Sequence, residues 1–404
     1  MRSALTIIFF ISLSFNTLFS QEIVQWRGPD RNGIFPEKNL LKEWPENGPE
    51  ILWRFDELGL GYSSAAVTAN MVLITGTVDS ISYIFSFDHD GKLQWKKEYG
   101  QEFKNQFPGA RATPLIFEGR GYVLTSLGLL HCFNIDNGDF FWSKNLFKDL
   151  KGKNNMYGIT ENLLMDGNIL YCTPGGPDDN VVALNRITGE VLWKSKGKGE
   201  VSAYCSPLLI ERGGKKFFIN MTAKSVIAIN TENGELAWSY DLFNKQFVHA
   251  NTPIYRDGFL FVMDGFEAGS IMLKISEDGN SVKEVWKTKL LDETNGNAVL
   301  IGNNLYCPAE SKKKICCVDW ETGVIKYAAR MFSPGTVISA DGLLYCYTYD
   351  GDLGIVEPTE NGFVEISSIK YPKLTELHIA HPVIKDGRLY VRFKNTLLVY
   401  SISK

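Results

Sequence analysis

Eight polar residues recur along the chain at nearly even intervals, and they set what chemistry it could perform. Ser64, Thr113, Glu161, Ser206, Thr252, Asn297, Thr336 and His381 each stand directly before a short apolar run. One to three residues further out lie Tyr62, Arg111, Tyr204, His249, Asn251, Asn295 and His378. Hydroxyls, amides, an arginine and a carboxylate that converge in this way can wall a water-filled channel or hold a small molecule. Three of the five histidines fall in this zone, which favours a ligand. Glu161 is the one carboxylate among the eight.

Other chemistries find no support. No cysteine or histidine spacing matches a zinc site, and the absence of a CxxCH motif speaks against haem. Cys172, Cys307 and Cys346 each follow a Leu-Tyr pair, the repeated offset expected of small core residues. Cys316 and Cys317 are adjacent within an apolar run, where alternate pointing would keep them apart. Lys148, Lys151 and Lys153 cluster in one long connection and suggest a solvated rim, or one for anionic ligands such as acidic polysaccharides.

The elements that position these residues follow from an internal repeat. With Ala65, Pro114, Asn162, Pro207, Pro253, Ala298, Val337 and Pro382 as index positions, successive spacings are 49, 48, 45, 46, 45, 39 and 45. A second column of turn glycines runs through Gly91, Gly138, Gly189, Gly234, Gly279, Gly323 and Gly362. Trp95, Trp142, Trp193 and Trp238 follow four residues after the first four of them. Each copy holds about four short strands separated by Asn-Gly or Asp-Gly types of turn. Four antiparallel strands at a period near 45 describe a propeller blade, and eight copies an all-β, eight-bladed propeller. The last copy lacks its outermost strand, and the segment around Trp53 can supply it and close the ring. The tryptophans are expected to fill the wedges between blades, and Asn134, Asn185, Asn230 and Asp319 to satisfy turn backbone.

The 404 residues carry 42 basic and 46 acidic side chains, a net charge of −4 that argues against nucleic acid. At the amino end, Arg2 precedes an apolar stretch from Leu5 to Leu13, and small residues stand ahead of Gln21. Residues 1–20 therefore read as a signal peptide cleaved near Ser20/Gln21, too short in apolar length for a transmembrane anchor. This predicts a periplasmic or secreted protein, with residues 21–49 as an extension and 50–404 as the propeller.

The repeat resembles that of the pyrroloquinoline-quinone (PQQ) propellers, whose pattern is roughly Ala-x-Asp-x-x-Thr-Gly-x-x-x-Trp. The copy Ala183-Leu184-Asn185-Arg186-Ile187-Thr188-Gly189-Glu190-Val191-Leu192-Trp193 carries the likeness, as does the copy from Ala228 to Trp238. The opening Trp26-Arg27-Gly28-Pro29-Asp30-Arg31-Asn32-Gly33 also looks like exported propellers of this group. The resemblance implies one of two roles. In the first, the chain is a quinoprotein that binds PQQ on its axis, with Ca²⁺, and oxidises an alcohol or sugar. Tyr62, Ser64, Arg111, Thr113, Tyr204, His249, Asn251, Asn297 and His381 would then hold the cofactor, and Glu161 would be the base. In the second, it is a non-catalytic scaffold that binds an envelope protein or a glycan.

Overall fold

In the computed structural model, which describes residues 22–372 and 377–404, the chain forms eight four-stranded antiparallel blades around an axis. The segment read as a leader lies outside the described residues. One blade shows the pattern of all: Leu164–Asp166, Ile169–Cys172, Val181–Asn185 and Val191–Ser195 pair in order, from the hub outward. The two middle strands are buried on both faces because neighbouring blades pack on each side; hence the continuous apolar runs Leu170–Cys172 and Val181–Leu184. The outer strand is largely exposed, with Val191, Leu192 and Lys194 in water. Thr396–Ser401 pairs with Ile51–Phe55, with Trp53 opposite Val399, so the first long strand completes the last blade. This closes the ring and gives the last blade its fourth strand.

The glycine and tryptophan columns turn out to be two halves of one contact. A Cβ on the turn glycine of each of five blades would lie within 3 Å of a tryptophan from the preceding blade: Gly91 on Trp53, Gly138 on Trp95, Gly189 on Trp142, Gly234 on Trp193 and Gly323 on Trp286. Each indole also donates to a carbonyl in that same turn, as Trp142 does to Arg186 O at 3.0 Å. The pairing register shifts beside each of these tryptophans, a bulge that turns the ring toward its neighbour. Asn134, Asn185, Asn230 and Asp319 accept backbone N–H groups of their turns, as their spacing predicts.

The extension is structural. Val24 bridges Ile116 in the second blade, and Ile34–Phe35 pairs in parallel with Ser339 and Ala340 of the seventh. Residues 24–35 thus cross beneath the hub on the face of the hairpin turns. Trp44 then packs into the core of the seventh and eighth blades. All seven cysteines are buried thiols. Among the described residues, no helix is long and apolar enough to cross a membrane.

A pair of substitutions isolates the ring-on-turn contact. Gly189 and Gly167 both have positive φ, +73° and +55°, but only a Cβ at Gly189 would meet a ring, whereas at Gly167 nothing lies within 4 Å. Gly167→Ala should cost about 1 kcal/mol, the backbone penalty alone. Gly189→Ala should cost about 2 kcal/mol more, because Trp142 must move. Paired thermal melts, with Trp142→Ala as the reference for loss of the ring, check this.

Candidate functional site

The polar ring read from the sequence is mostly a belt that ties blade to blade. The Ser64 N–H donates to Thr113 Oγ1 at 3.0 Å, and the Thr113 N–H to Asn162 Oδ1 at 2.7 Å. The Asn162 N–H donates to Ser206 Oγ at 3.1 Å. On the other side, the Thr252 N–H donates to Asn297 Oδ1 at 2.7 Å, and the Asn297 N–H to Asn251 Oδ1 at 2.9 Å. Ser64 Oγ closes the seam on His381 O at 2.7 Å. Inner-strand N–H groups that face no strand are satisfied this way. Ser64, Thr113 and Asn251 are therefore consumed by the belt.

Below the belt the arm inserts two buried guanidiniums. Arg31 donates to Pro207 O, Leu163 O and Asn162 O at 3.0, 2.8 and 2.8 Å. Arg27 donates to Ala298 O at 2.8 Å and to Val337 O at 3.3 Å. Arg27 Nη1 also lies 3.0 Å from His381 Nδ1. Burial lowers both arginines, Arg27 to about 9 and Arg31 to about 10. Burial and the neighbouring Arg27 push His381 well below the usual imidazole range. The neutral ring accepts from Arg27 at Nδ1 and donates from Nε2 to Asn295 O at 3.3 Å.

Above the belt the axis opens as a bowl of about 920 Å³, mouth included. Trp26 and His381 meet edge to face at its floor, with ring centres 5.1 Å apart. One wall is an aromatic arc contributed by successive connections between blades. Tyr62 meets Phe107 at 6.4 Å, Phe107 meets Tyr157 at 6.4 Å, and Tyr157 meets Tyr204 at 5.8 Å. The opposite wall carries Thr294, Asn295 and Asn297. Of the expected residues, the structure brings Tyr62, Arg111, Tyr204, Asn297 and His381 together here. Arg111 donates to the carbonyls of Tyr157, Gln106 and Phe107, so it shapes the arc by holding two loops. The Tyr204 hydroxyl accepts the Tyr157 N–H at 3.2 Å.

Glu161 and His249 do not line the bowl. The Glu161 carboxylate accepts the Thr173 N–H at 2.9 Å and the Thr173 hydroxyl at 3.2 Å, inside its own blade. Burial raises it to about 8, against the pull of Thr173 and Arg31. His249 is buried between Asp264 Oδ1 at 3.0 Å and Ala223 O at 3.1 Å. Two further buried carboxyls are raised by burial: Glu293 to about 8, with Glu310 adding to the rise, and Glu102 to about 7. Each accepts bonds from the loops beside it, Glu102 from Ser126 and Glu293 from Tyr349. Among the described residues no group of three His, Cys, Asp or Glu is placed to hold a metal ion. Sequence reasoning missed Trp26, Phe107, Tyr157 and Phe266. For Phe107 and Tyr157 the available signal was an aromatic residue in successive connections, at offsets too uneven to form a column; Trp26 lies in the extension and Phe266 in a hairpin of the fifth blade.

Comparison with known proteins agrees with this architecture. Residues 80–326, over half of the chain, match the PQQ_2 family, described as outer membrane protein assembly factor BamB. A curated relative, outer membrane protein assembly factor BamB of Kangiella koreensis, is 26% identical over 153 residues. That match spans 36% of each chain, so the shared stretch is about a third of the relative's length. The solved BamB of Moraxella catarrhalis superposes with a TM-score of 0.62 at 11% identity, covering 88% of this chain and 100% of that one. Quinohemoprotein alcohol dehydrogenase from Comamonas testosteroni gives 0.66 at 11%, covering 93% and 79%. At such identities the likeness is one of fold.

The buried Glu161 yields a pH dependence. Its carboxyl holds its proton to about pH 8 when folded but releases it near 4.5 when unfolded. The stability it contributes is full below about pH 4.5 and is lost as pH rises toward about 8. Unfolding followed by calorimetry across that window should show a falling Tm. Glu161→Gln, which keeps the neutral form at every pH, should fall less steeply.

Proposed function

The chain belongs to the PQQ_2 family, and from that premise we propose that it is an exported binding propeller of the cell envelope. It holds its ligand in the axial bowl and performs no chemistry on it. The observation that carries this reading is the lining of the bowl. Rings, amides and hydroxyls surround it, Arg111 is the cation among them, and no described carboxylate lines it. The basic and apolar leader at residues 1–20 supports export, and the family's description supports an envelope role.

The quinone implied by the repeat fits this bowl only in part. A planar ring system matches the Tyr157 and Tyr204 faces. Ca²⁺ needs several hard oxygen ligands, usually including carboxylates, and the described lining side chains offer amide and hydroxyl oxygens alone. The candidate base Glu161 is turned onto Thr173 and protonated at neutral pH. Arg111 donates to loop carbonyls instead of awaiting a carboxylate. No oxidation step can be routed through these residues.

Purified protein mixed with PQQ, with Ca²⁺ or with a chelator, tests the reading against dye-linked oxidation of an alcohol and an aldose. The expected result is no turnover, and PQQ uptake that is the same in both media. Uptake that requires Ca²⁺ and is accompanied by oxidation would overturn it.

A further inference from the structure

We propose that the bowl and the groove beside it form one site for a neutral oligosaccharide built of all-equatorial pyranose units. This rests on reading the bowl as a binding site. The shape comes first. A groove of about 1460 Å³ lies between the connections that follow the fourth and fifth blades, and Phe266 and Thr294 line both it and the bowl. The two hollows therefore adjoin across these two residues, and a chain that passes over Phe266 reaches from one into the other, which a single ring does not. Stacking surfaces stand along that path. The arc from Tyr62 to Tyr204 lies in the bowl, Phe266 is at the junction, and Phe243 is at the outer end. Phe243 is 58% and Phe266 45% exposed, large apolar rings left in water around a concave surface.

Polar and charged groups narrow the ligand class. Asn297 commits its carbonyl oxygen to the belt, and its amide N–H₂ makes no bond among the described residues. The Asn295 side chain, on the same wall, likewise makes none there. An aromatic wall opposite free amides suits a sugar, whose axial C–H groups can lie on rings while its hydroxyls reach amides. Equatorial hydroxyls leave C–H on both faces of each unit, so successive units can alternate sides. The groove carries Lys245, Lys287 and Lys289 against Glu267, Asp292 and Glu310, a balance of three to three. With Arg111 already engaged, nothing in the combined site asks for a net charge on the ligand. A peptide added as a further strand would need an open sheet edge. Here the inner strand ends are tied by the belt.

Cellohexaose is the probe, measured by titration calorimetry and by its effect on Tm, with hexagalacturonate and glucose alongside. Saturable cellohexaose binding that raises Tm is expected, with glucose at least about tenfold weaker because it spans only part of the path. Phe266→Ala and Asn295→Ala, both at partly exposed positions, should each weaken cellohexaose by about tenfold or more without lowering the Tm of the free protein. No binding at about 1 mM overturns the inference, as does binding indifferent to both substitutions. A clear preference for hexagalacturonate overturns the neutral ligand. If PQQ enters independently of Ca²⁺ while cellohexaose does not bind, the sugar inference fails and the binding reading stands. Ca²⁺-dependent turnover sinks both.

Discussion

Eight sheets meet at the hub, and each brings there a strand whose outer ladder groups face no further strand. The fold depends on satisfying those groups. The upper N–H groups are met by side chains of the next blade, with Thr113, Asn162, Ser206 and Asn297 as acceptors. The lower carbonyls of four blades are met by Arg27 and Arg31, which the arm carries in from outside the ring. A guanidinium is suited to this, because its fork offers several donors in one plane and no acceptor that would go begging. The cost is two buried cations with no ion pair among the described residues, visible in the lowered affinity of both for their protons. A charge so placed is tolerated when its donors find acceptors.

Further out, adjacency is enforced by a different device. In five blades the outer tryptophan lies on a backbone turn of the next blade and donates to it, so the contact works only if that turn lacks a side chain; Trp238 is the exception, its indole N–H buried without a partner among the described residues. Connections add a third tie. Glu102 accepts from Ser126 and Glu200 from Ser225, in each case between a connection and the hairpin of the following blade. Inner belt, middle clip and outer ring thus link the first blade to the second, and the third to the fourth, at three radii. A closed ring gains from this, since no single interface can open without straining the others.

Much of this was legible in the sequence. The repeat fixed blade number and closure because a blade must reproduce its turn glycine and outer ring at every copy. The position of the polar ring was equally plain, but its role was not. Ser64, Thr113 and Asn251 are the residue types that either a ligand channel or an interblade belt would use. Arg27 and Arg31 stood out in the opening motif, yet nothing local says that a segment before the first strand will return under the axis. Half of the aromatic arc was hidden because connections vary in length: Tyr62 and Tyr204 stand three residues before their index positions, but Phe107 stands seven before and Tyr157 five. Glu161 misled for a related reason: its Cα lies at the ring, but its carboxylate finds two donors on Thr173 within its own blade.

The arm also settles where the termini emerge. Glu22 pairs with Lys385 at 3.2 Å, beside the hairpin at Asp386, and the Lys404 N–H donates to Asn39 O at 3.0 Å near that same corner. Both ends of the described chain therefore leave from the side opposite the mouth of the bowl. Anything joined there, whether a fusion partner or a solid support, would sit behind the ring, and the ring itself would serve as a spacer that keeps the mouth turned outward and unobstructed.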